Sequence, residues 1–298
     1  MVDSHSGRSD AIRLGAGCLA LASILLVPAA GSGGESVVDA AAKYVADYER
    51  ELTSIVADEV YTQEIRRQVP SVAGAPQRRR AKSEIFFMFM PMERTWMAIR
   101  DVLEIDGFSV ADGTRVRDAL LTLHPVEVGG RMRSANASLN IGRIVRNFNE
   151  PTLALLALDP THKERFRFDT GKPRRVGGDA RILLEFEERE RPTLIRNMKG
   201  EPVFIKGELD VEPETGRIWR SVVRASVGPV TLELTTEYAR DDRLDLILPR
   251  AFHERYEEGN PSARADSTAR ASTSSHELIL CEARYSNYRR FETSVRIK

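Results

Sequence analysis

The chain has 298 residues, of which 42% are apolar and 30% charged, a composition typical of a folded globular protein rather than a disordered one. Its 44 basic and 44 acidic side chains cancel, so no excess charge favours binding to nucleic acid or to an anionic membrane surface. This length allows one large domain or two ordinary ones.

The first 31 residues have the pattern of an export signal. Arg8 and Arg13 precede an apolar run over residues 14–30, and small residues follow that run. We expect cleavage near Gly31, which gives an exported bacterial protein, periplasmic or secreted, with no membrane span after leader removal. One alternative is a retained membrane anchor, but the apolar run is short for a membrane span. The other is lipidation at Cys18, but most of the apolar run lies after this cysteine, whereas a lipoprotein signal has it before the cysteine.

The first half of the mature chain predicts a helix and then a hairpin. Residues 35–57 carry apolar side chains every three or four positions, which predicts an amphipathic helix. Residues 60–69 alternate weakly, and the three arginines at 78–80 are expected at a solvated strand end. Residues 85–90, IFFMFM, are apolar at every position, so this strand should be covered on both faces. Residues 96–105 return as its hairpin partner.

Residues 111–160 change to a helical pattern. We predict helices at 115–123, at 131–148 and at 151–158, the last with Asn149 as its N-cap. Because the last helix is apolar nearly all round, it must be enclosed or must cover an apolar surface.

The second half of the chain predicts strands joined mostly by short turns. In the hairpin over residues 203–225, the apolar side chains should face inward: Val203, Ile205, Leu209 and Val211. The charged side chains between them should face water: Lys206, Glu208, Asp210 and Glu212. Residues 258–275 predict a mobile loop, and residues 278–288 and 291–297 predict two closing strands. The sequence therefore predicts an α+β single domain over residues 32–298. We expect a single large curved antiparallel sheet, a half-barrel, with an N-terminal helix and a central helical insertion packed on one face.

No catalytic, metal or cofactor motif is present. The five histidines lie in no zinc-binding spacing, and the chain has neither a phosphate-binding loop nor a nucleophile elbow. Cys281 would be the one cysteine of the mature chain, and its alternating strand predicts a buried apolar role. We therefore predict a non-enzymatic protein without metal or cofactor; the enzymatic alternative is a site assembled from distant residues.

Residues 209–220, LDVEPETGRIWR, resemble a strand-turn-strand element of periplasmic lipoprotein-carrier half-barrels. These are the LolA- and LolB-like outer-membrane lipoprotein-sorting proteins and related sigma-factor regulatory proteins. The order of leader, helix, strands, helices and strands is similar, and residues 283–291 resemble the last hairpin of uncharacterised secreted bacterial members. The resemblance implies a strongly bent sheet whose concave face binds acyl chains or lipidated partners.

A bent sheet would enclose a candidate apolar cavity with a helical plug. The candidate wall residues are Phe87, Phe89, Trp96, Ile99, Phe168, Trp219 and Tyr238, and the candidate plug residues are Leu153, Leu155, Leu156 and Leu158. The alternative is that these residues form an ordinary filled core. The first predicts an envelope protein that binds a lipid, an acyl group or a lipidated protein, and the second predicts an interaction or assembly module with an envelope protein partner. An open apolar pocket beneath residues 151–158 would favour the first.

Overall fold

The computed structural model describes residues 36–52, 55–69, 72–73, 75–110, 115–146, 150–259 and 276–291. The predicted export signal and the predicted cap Asn149 lie outside these ranges. So do residues 260–275 of the predicted mobile loop and residues 292–297 of the last predicted strand. Within the described ranges, no helix combines the length and the apolar character needed to cross a membrane.

The helices are short apart from the first and third. The α-helices are α1 (Val37–Glu51), α2 (Val116–Leu120) and α3 (Pro125–Ala137), and two 3₁₀ helices cover Leu153–Leu158 and Lys163–Arg165. We refer to the 3₁₀ helix Leu153–Leu158 as the plug helix. The strands are β1 (Ile55–Val69), β2 (Val72–Ala73), β3 (Gln77–Met90), β4 (Thr95–Ile105), β5 (Phe108–Ser109), β6 (Phe166–Thr170), β7 (Arg174–Val176), β8 (Asp179–Glu188), β9 (Ile195–Arg196), β10 (Pro202–Val203), β11 (Lys206–Val211), β12 (Ile218–Val227), β13 (Val230–Asp241), β14 (Leu246–Glu258) and β15 (His276–Arg290).

Thirteen of the described strands form one sheet. Its order is β5-β4-β3-β1-β15-β14-β13-β12-β11-β8-β6, with β2 beside β1 and β7 beside β8, while β9 and β10 pair separately. Each recorded pairing is antiparallel, and β1 lies against β15, so the two ends of the described chain meet within the sheet. The predicted α+β class with one large antiparallel sheet is confirmed.

Hydrogen bonds to two adjacent residues show that this sheet is strongly curved. The Glu150 carboxylate accepts from the backbone N–H of Ala98 in β4 at 2.6 Å. The next carbonyl, that of Pro151, accepts from Thr236 and Tyr238 in β13 at 2.6 and 3.1 Å. Strands β4 and β13 are five positions apart in the sheet, about 24 Å if it were flat. The sheet must therefore bend around this segment, as a half-barrel does.

The two faces of the sheet are covered by different helices. Ile85 and Phe87 belong to the cluster that contains α1 and the plug helix, and we call this side the inner face. Their neighbour Phe86 belongs to a second cluster on the outer face, with residues of α2 and α3. The prediction that residues 85–90 are covered on both faces is thus confirmed. The insertion, expected on one face, covers both: α2 and α3 pack on the outer face, and Ile141 and the plug helix pack on the inner face.

The predicted helix over residues 131–148 is wrong in its position. Helix α3 starts after His124, whose ring accepts from the Val126 N–H, and ends at Ala137. Gly142 has φ +96°, a conformation outside the right-handed helical region, so the helix cannot continue through this segment. The predicted helix over residues 151–158 is the 3₁₀ plug helix, with Thr152 at its N-cap.

The first predicted closing strand, residues 278–288, lies within β15, and residues 289–290, which separate the two predicted strands, continue β15. Asn287 takes φ +52° inside the strand. The register with β1 shifts between Val56 and Asp58, opposite this position. Asn287 therefore lies in a β-bulge, and residues 283–290 form one strand instead of the hairpin that they resemble.

The hairpin over residues 203–225 has the predicted orientation. Val203, Ile205, Leu209 and Val211 are buried in the inner cluster. Of the outward set, Asp210 is only 9% exposed and pairs with Arg174 at 3.2 Å. Gly216 closes the turn at φ +71°, and a Cβ there would lie 2.1 Å from the Ala40 carbonyl oxygen of α1. Only glycine allows α1 to approach the turn this closely.

Candidate functional site

Most of the predicted cavity residues come together on the inner face. Eight are buried in one cluster: Phe87, Phe89, Trp96, Leu153, Leu155, Leu156, Leu158 and Tyr238. Phe168 and Trp219 are half-buried against it, and Trp219 lies in the β11–β12 bulge beneath the Arg181 guanidinium, 4.6 Å from the ring centroid. Ile99 is on the outer face, because its odd spacing from Trp96 places it on the opposite side of β4.

The space beneath residues 151–158 is filled by the plug helix itself. None of its six side chains is more than 9% exposed, and Leu158 is completely buried. Five clefts in the described part of the chain are lined by other residues. The inner face at this position is therefore packed core.

A buried charged cluster fixes the C-terminal end of the plug helix. Asp159 follows the helix, is fully buried, and accepts a hydrogen bond from Arg94 in the β3–β4 turn. Arg94 also contacts Glu49 of α1 at 3.1 Å. Burial and the hydrogen bond with Asp159 raise the pKa of Glu49 to about 8. Although burial opposes ionisation of Asp159, hydrogen bonds from Glu49 and Thr161 hold its pKa below the usual value. One proton thus joins the two carboxyls at neutral pH.

Away from the plug helix, the inner face becomes polar. Arg100 of β4 makes a two-pronged ion pair with Glu59 of β1, one contact being 2.7 Å, and its guanidinium lies 4.8 Å from the Tyr61 ring centroid. Glu254 accepts from the hydroxyls of Tyr61 and Tyr256 at 2.9 and 2.6 Å. Such buried charges need this degree of pairing to offset their desolvation.

Arg146 lies beside these groups and is only 3% exposed. It donates to Gln63 at 2.6 Å, to the Ile141 carbonyl at 3.0 Å and to the Cys281 sulfur at 3.2 Å. Burial lowers the pKa of Arg146. The charges of neighbouring acidic groups, chiefly Cys281 and Tyr61 and then Glu254, raise that pKa by more than burial lowers it, so the guanidinium remains charged. Burial and the charge of Glu254 raise the pKa of the Cys281 thiol to about 12, which makes it a poor nucleophile.

A cleft of about 260 Å³ opens at the rim of the half-barrel, between β4, α3 and residues 139–146. We call it the arginine cleft. Its apolar lining includes Met97, Ile99, Val102, Met132, Leu139, Val145 and Met198, and its polar lining includes Tyr61, Gln63, Asn136, Asn140, Arg100, Arg133 and Arg146. Val145 and Met198 are 62% and 77% exposed, so apolar side chains face solvent at this rim.

The arrangement of side chains in the arginine cleft can bind a ligand. Within the described ranges, no group of three or more metal-ligating side chains is placed to hold an ion. The cleft offers fixed N–H donors beside apolar walls, which can recognise a ligand with a polar head and an apolar tail. Sequence reasoning did not find Arg100 or Arg146. The available signal was in β1, where polar Glu59 and Gln63 occupy the same face as Ile55 and Ile65.

Neither the protein-family models nor the curated proteins include a match to this chain. Among solved structures, a LolA superfamily protein from Nitrosomonas europaea is 14% identical, with 84% of this chain and 94% of that chain covered and a TM-score of 0.30. A domain assigned to outer membrane lipoprotein sorting, from Vibrio parahaemolyticus, is 10% identical, with 86% and 95% covered and a TM-score of 0.36.

A structure of lipovitellin that concerns lipid–protein interactions is 6% identical to this chain. The match covers 82% of this chain and 26% of the lipovitellin chain, with a TM-score of 0.30. With TM-scores below 0.5, these likenesses carry no argument about ligand or mechanism. The first two of these structures bear the names of LolA-like or lipoprotein-sorting proteins, the group that this chain resembles in its hairpin and its order of elements.

Proposed function

We infer that this chain is an exported, non-enzymatic envelope protein that binds a single acyl chain at the rim of its half-barrel. The observation that carries this proposal is the arginine cleft, which combines apolar walls with exposed Val145 and Met198 at its rim. Its volume, about 260 Å³, lies just below the range of pockets that hold drug-sized molecules. That size suits one chain rather than the two chains of a phospholipid.

The proposed site differs from the cavity expected from the sequence. The expected cavity lay beneath residues 151–158, where the plug helix fills the space. The rim cleft needs no movement of the plug helix for a ligand to enter. Export of the protein rests on the leader pattern of the first 31 residues.

Titration with dansyl-undecanoic acid, a fluorescent fatty acid, tests this proposal. We expect saturable binding with one site per chain. Met198→Asp places a charge on the apolar rim and should weaken binding about tenfold or more. Met92→Asp is the matched control, because Met92 is 79% exposed in the β3–β4 turn and does not line the cleft. Absence of saturable binding, or equal affinity in Met198→Asp and the wild-type protein, would contradict the proposal.

A protein-interaction module is the second candidate, and the filled core favours it. The plug helix is fixed at one end by Glu150 and Pro151 and at the other by Asp159. A fully packed inner face is what a scaffold for surface contacts requires. Mass spectrometry of lipid extracted from the protein purified from its native envelope distinguishes the two candidates. Stoichiometric lipid supports the acyl site, and a lipid-free protein that co-purifies with one stoichiometric protein partner supports the module.

A further inference from the structure

The arginine cleft has an unusual balance of charge. Three arginines line it, and among its described lining residues there is no aspartate or glutamate. Arg100 is already neutralised by Glu59. Arg133, exposed on α3, and Arg146, at the inner end, therefore leave the cleft with excess positive charge.

Arg146 is the most informative of the three. Among the described residues, no carboxylate lies within ion-pair distance of the Arg146 guanidinium, although this residue is only 3% exposed. Glu254, on the same face, accepts from two tyrosine hydroxyls instead. The Arg146 Nε–H finds no hydrogen-bond acceptor in the part of the chain that the structure describes. A buried guanidinium in this state carries a large desolvation cost that a bound anion would offset.

The other contacts of Arg146 explain its position but not its charge. Gln63, Cys281 and the Ile141 carbonyl are neutral acceptors. A neutral donor such as glutamine would make similar bonds without the cost of burying a cation. The retained charge thus points to an anionic ligand group. The Nε–H, which these contacts leave unpaired, can donate a charge-assisted hydrogen bond to a carboxylate or phosphate oxygen, and such bonds are stronger than neutral ones.

We propose that the arginine cleft binds the anionic head of a single-chain amphiphile, with Arg146 contacting the carboxylate or phosphate and the apolar rim holding the start of the tail. This rests on the proposed function and specifies its ligand class. The head lies at the inner end, beside Arg146 and Gln63, and the tail leaves between Val145 and Met198. Arg133 contributes long-range attraction from the surface of α3.

Calorimetric titration of the full chain with four twelve-carbon probes, each below its micelle concentration, tests the proposal. The probes are dodecanoate, dodecyl phosphate, dodecanol and dodecyltrimethylammonium. At least one anionic probe should bind about tenfold or more tightly than dodecanol, and the cationic probe should bind most weakly. The tighter of the two anions identifies the head as a carboxylate or a phosphate.

Two charge-removing variants on α3 complete the test. Arg133→Ala should weaken binding of the preferred anion about threefold or more and leave dodecanol unchanged. Arg131→Ala removes the same charge two residues away, outside the cleft lining, and should change neither affinity by more than about twofold. Arg146→Gln should abolish the preference for the anion, and the α3 pair gives a result even if that variant does not fold.

The outcomes separate this inference from the proposed function. If dodecanol binds as tightly as both anions, or if Arg133→Ala and Arg131→Ala behave alike, the inference of an anionic head is wrong while acyl binding stands. If no probe binds, both are wrong.

Discussion

The Glu49–Asp159 pair should make the stability of the fold depend on pH. The pKa of Glu49 is about 8 in the folded chain, against an ordinary value of 4.5. Between these values the folded chain keeps a proton that the unfolded chain releases. The contribution of the protonated pair to stability is therefore complete below pH 4.5 and is lost as the pH rises through about 8.

The size of the effect follows from the difference in pKa. A difference of about 3.5 units corresponds to at most about 5 kcal/mol of unfolding free energy. Arg94 contacts both carboxylates and reduces the cost when both are ionised. Asp159 acts in the opposite direction but in another range, because its pKa lies below 3.8 and its contribution is lost only as the pH falls through that region.

Urea unfolding at pH 5, 7 and 9 measures this dependence. The midpoint for the wild-type protein should fall by about 1 to 2 M between pH 5 and pH 9. Glu49→Gln keeps the shape and can still donate to Asp159, so its midpoint should change much less. Comparing the two proteins removes the contribution of His162, whose pKa is lowered by burial. Asp47→Asn, on the exposed side of the same helix, should keep the wild-type slope. Equal slopes for Glu49→Gln and the wild-type protein would refute the shared proton.

Three further outcomes test the core and the buried polar face. Leu155→Ala in the plug helix, 1% exposed, should lower the unfolding free energy by about 2–5 kcal/mol in chemical denaturation, whereas Val145→Ala should change it by less than about 0.5 kcal/mol. Glu59→Leu leaves Arg100 unpaired and should cost about 3–5 kcal/mol, most of which the double variant with Arg100→Met should restore in thermal melts. Cys281 should react with a thiol reagent on the order of 100-fold more slowly in the native than in the urea-unfolded protein, and equal rates would contradict its burial.

The sheet could be predicted because local alternation determined it. In the first strand of the 203–225 hairpin, Val203, Ile205, Leu209 and Val211 alternate with Lys206, Glu208, Asp210 and Glu212, and Gly216 marks the turn. The same local rule failed at residues 289–290, which separate the two predicted closing strands but continue β15, because β1 pairs with them. Tertiary pairing, which a single sequence does not display, decided where the strand ends.

The plug helix was predictable, but whether the space beneath it is empty or filled was not. An apolar segment such as residues 153–158 must be shielded from water, and this holds for any surrounding structure. Whether it lines a cavity or fills one depends on how far the sheet bends. That curvature is shown by hydrogen bonds from Glu150 and Pro151 to strands five positions apart, contacts that link residues about 50 to 90 positions apart in the chain.

The arginine cleft escaped prediction because its parts are separated in sequence and each has an ordinary local explanation. Arg100 lies in an apolar strand, and Arg146 follows a segment without regular structure. They come together only because β1 presents Glu59 and Gln63 on its inner face, between apolar residues. In an otherwise apolar stripe, each inward polar residue requires a buried partner, since unpaired burial costs several kcal/mol.

The polar and apolar halves of the inner face therefore have different consequences for function. At the plug helix the face is closed by packing, and opening it would expose the buried leucines to water at a cost of about 1.5–3 kcal/mol for each side chain. At the arginine cleft the face is already open, and Arg146, which forms no ion pair with a described carboxylate, would be stabilised by an anion that enters. A ligand that binds at the rim thus gains charge pairing without displacing the plug helix. For this reason the rim, and not the filled centre of the half-barrel, is where recognition by this chain should be sought.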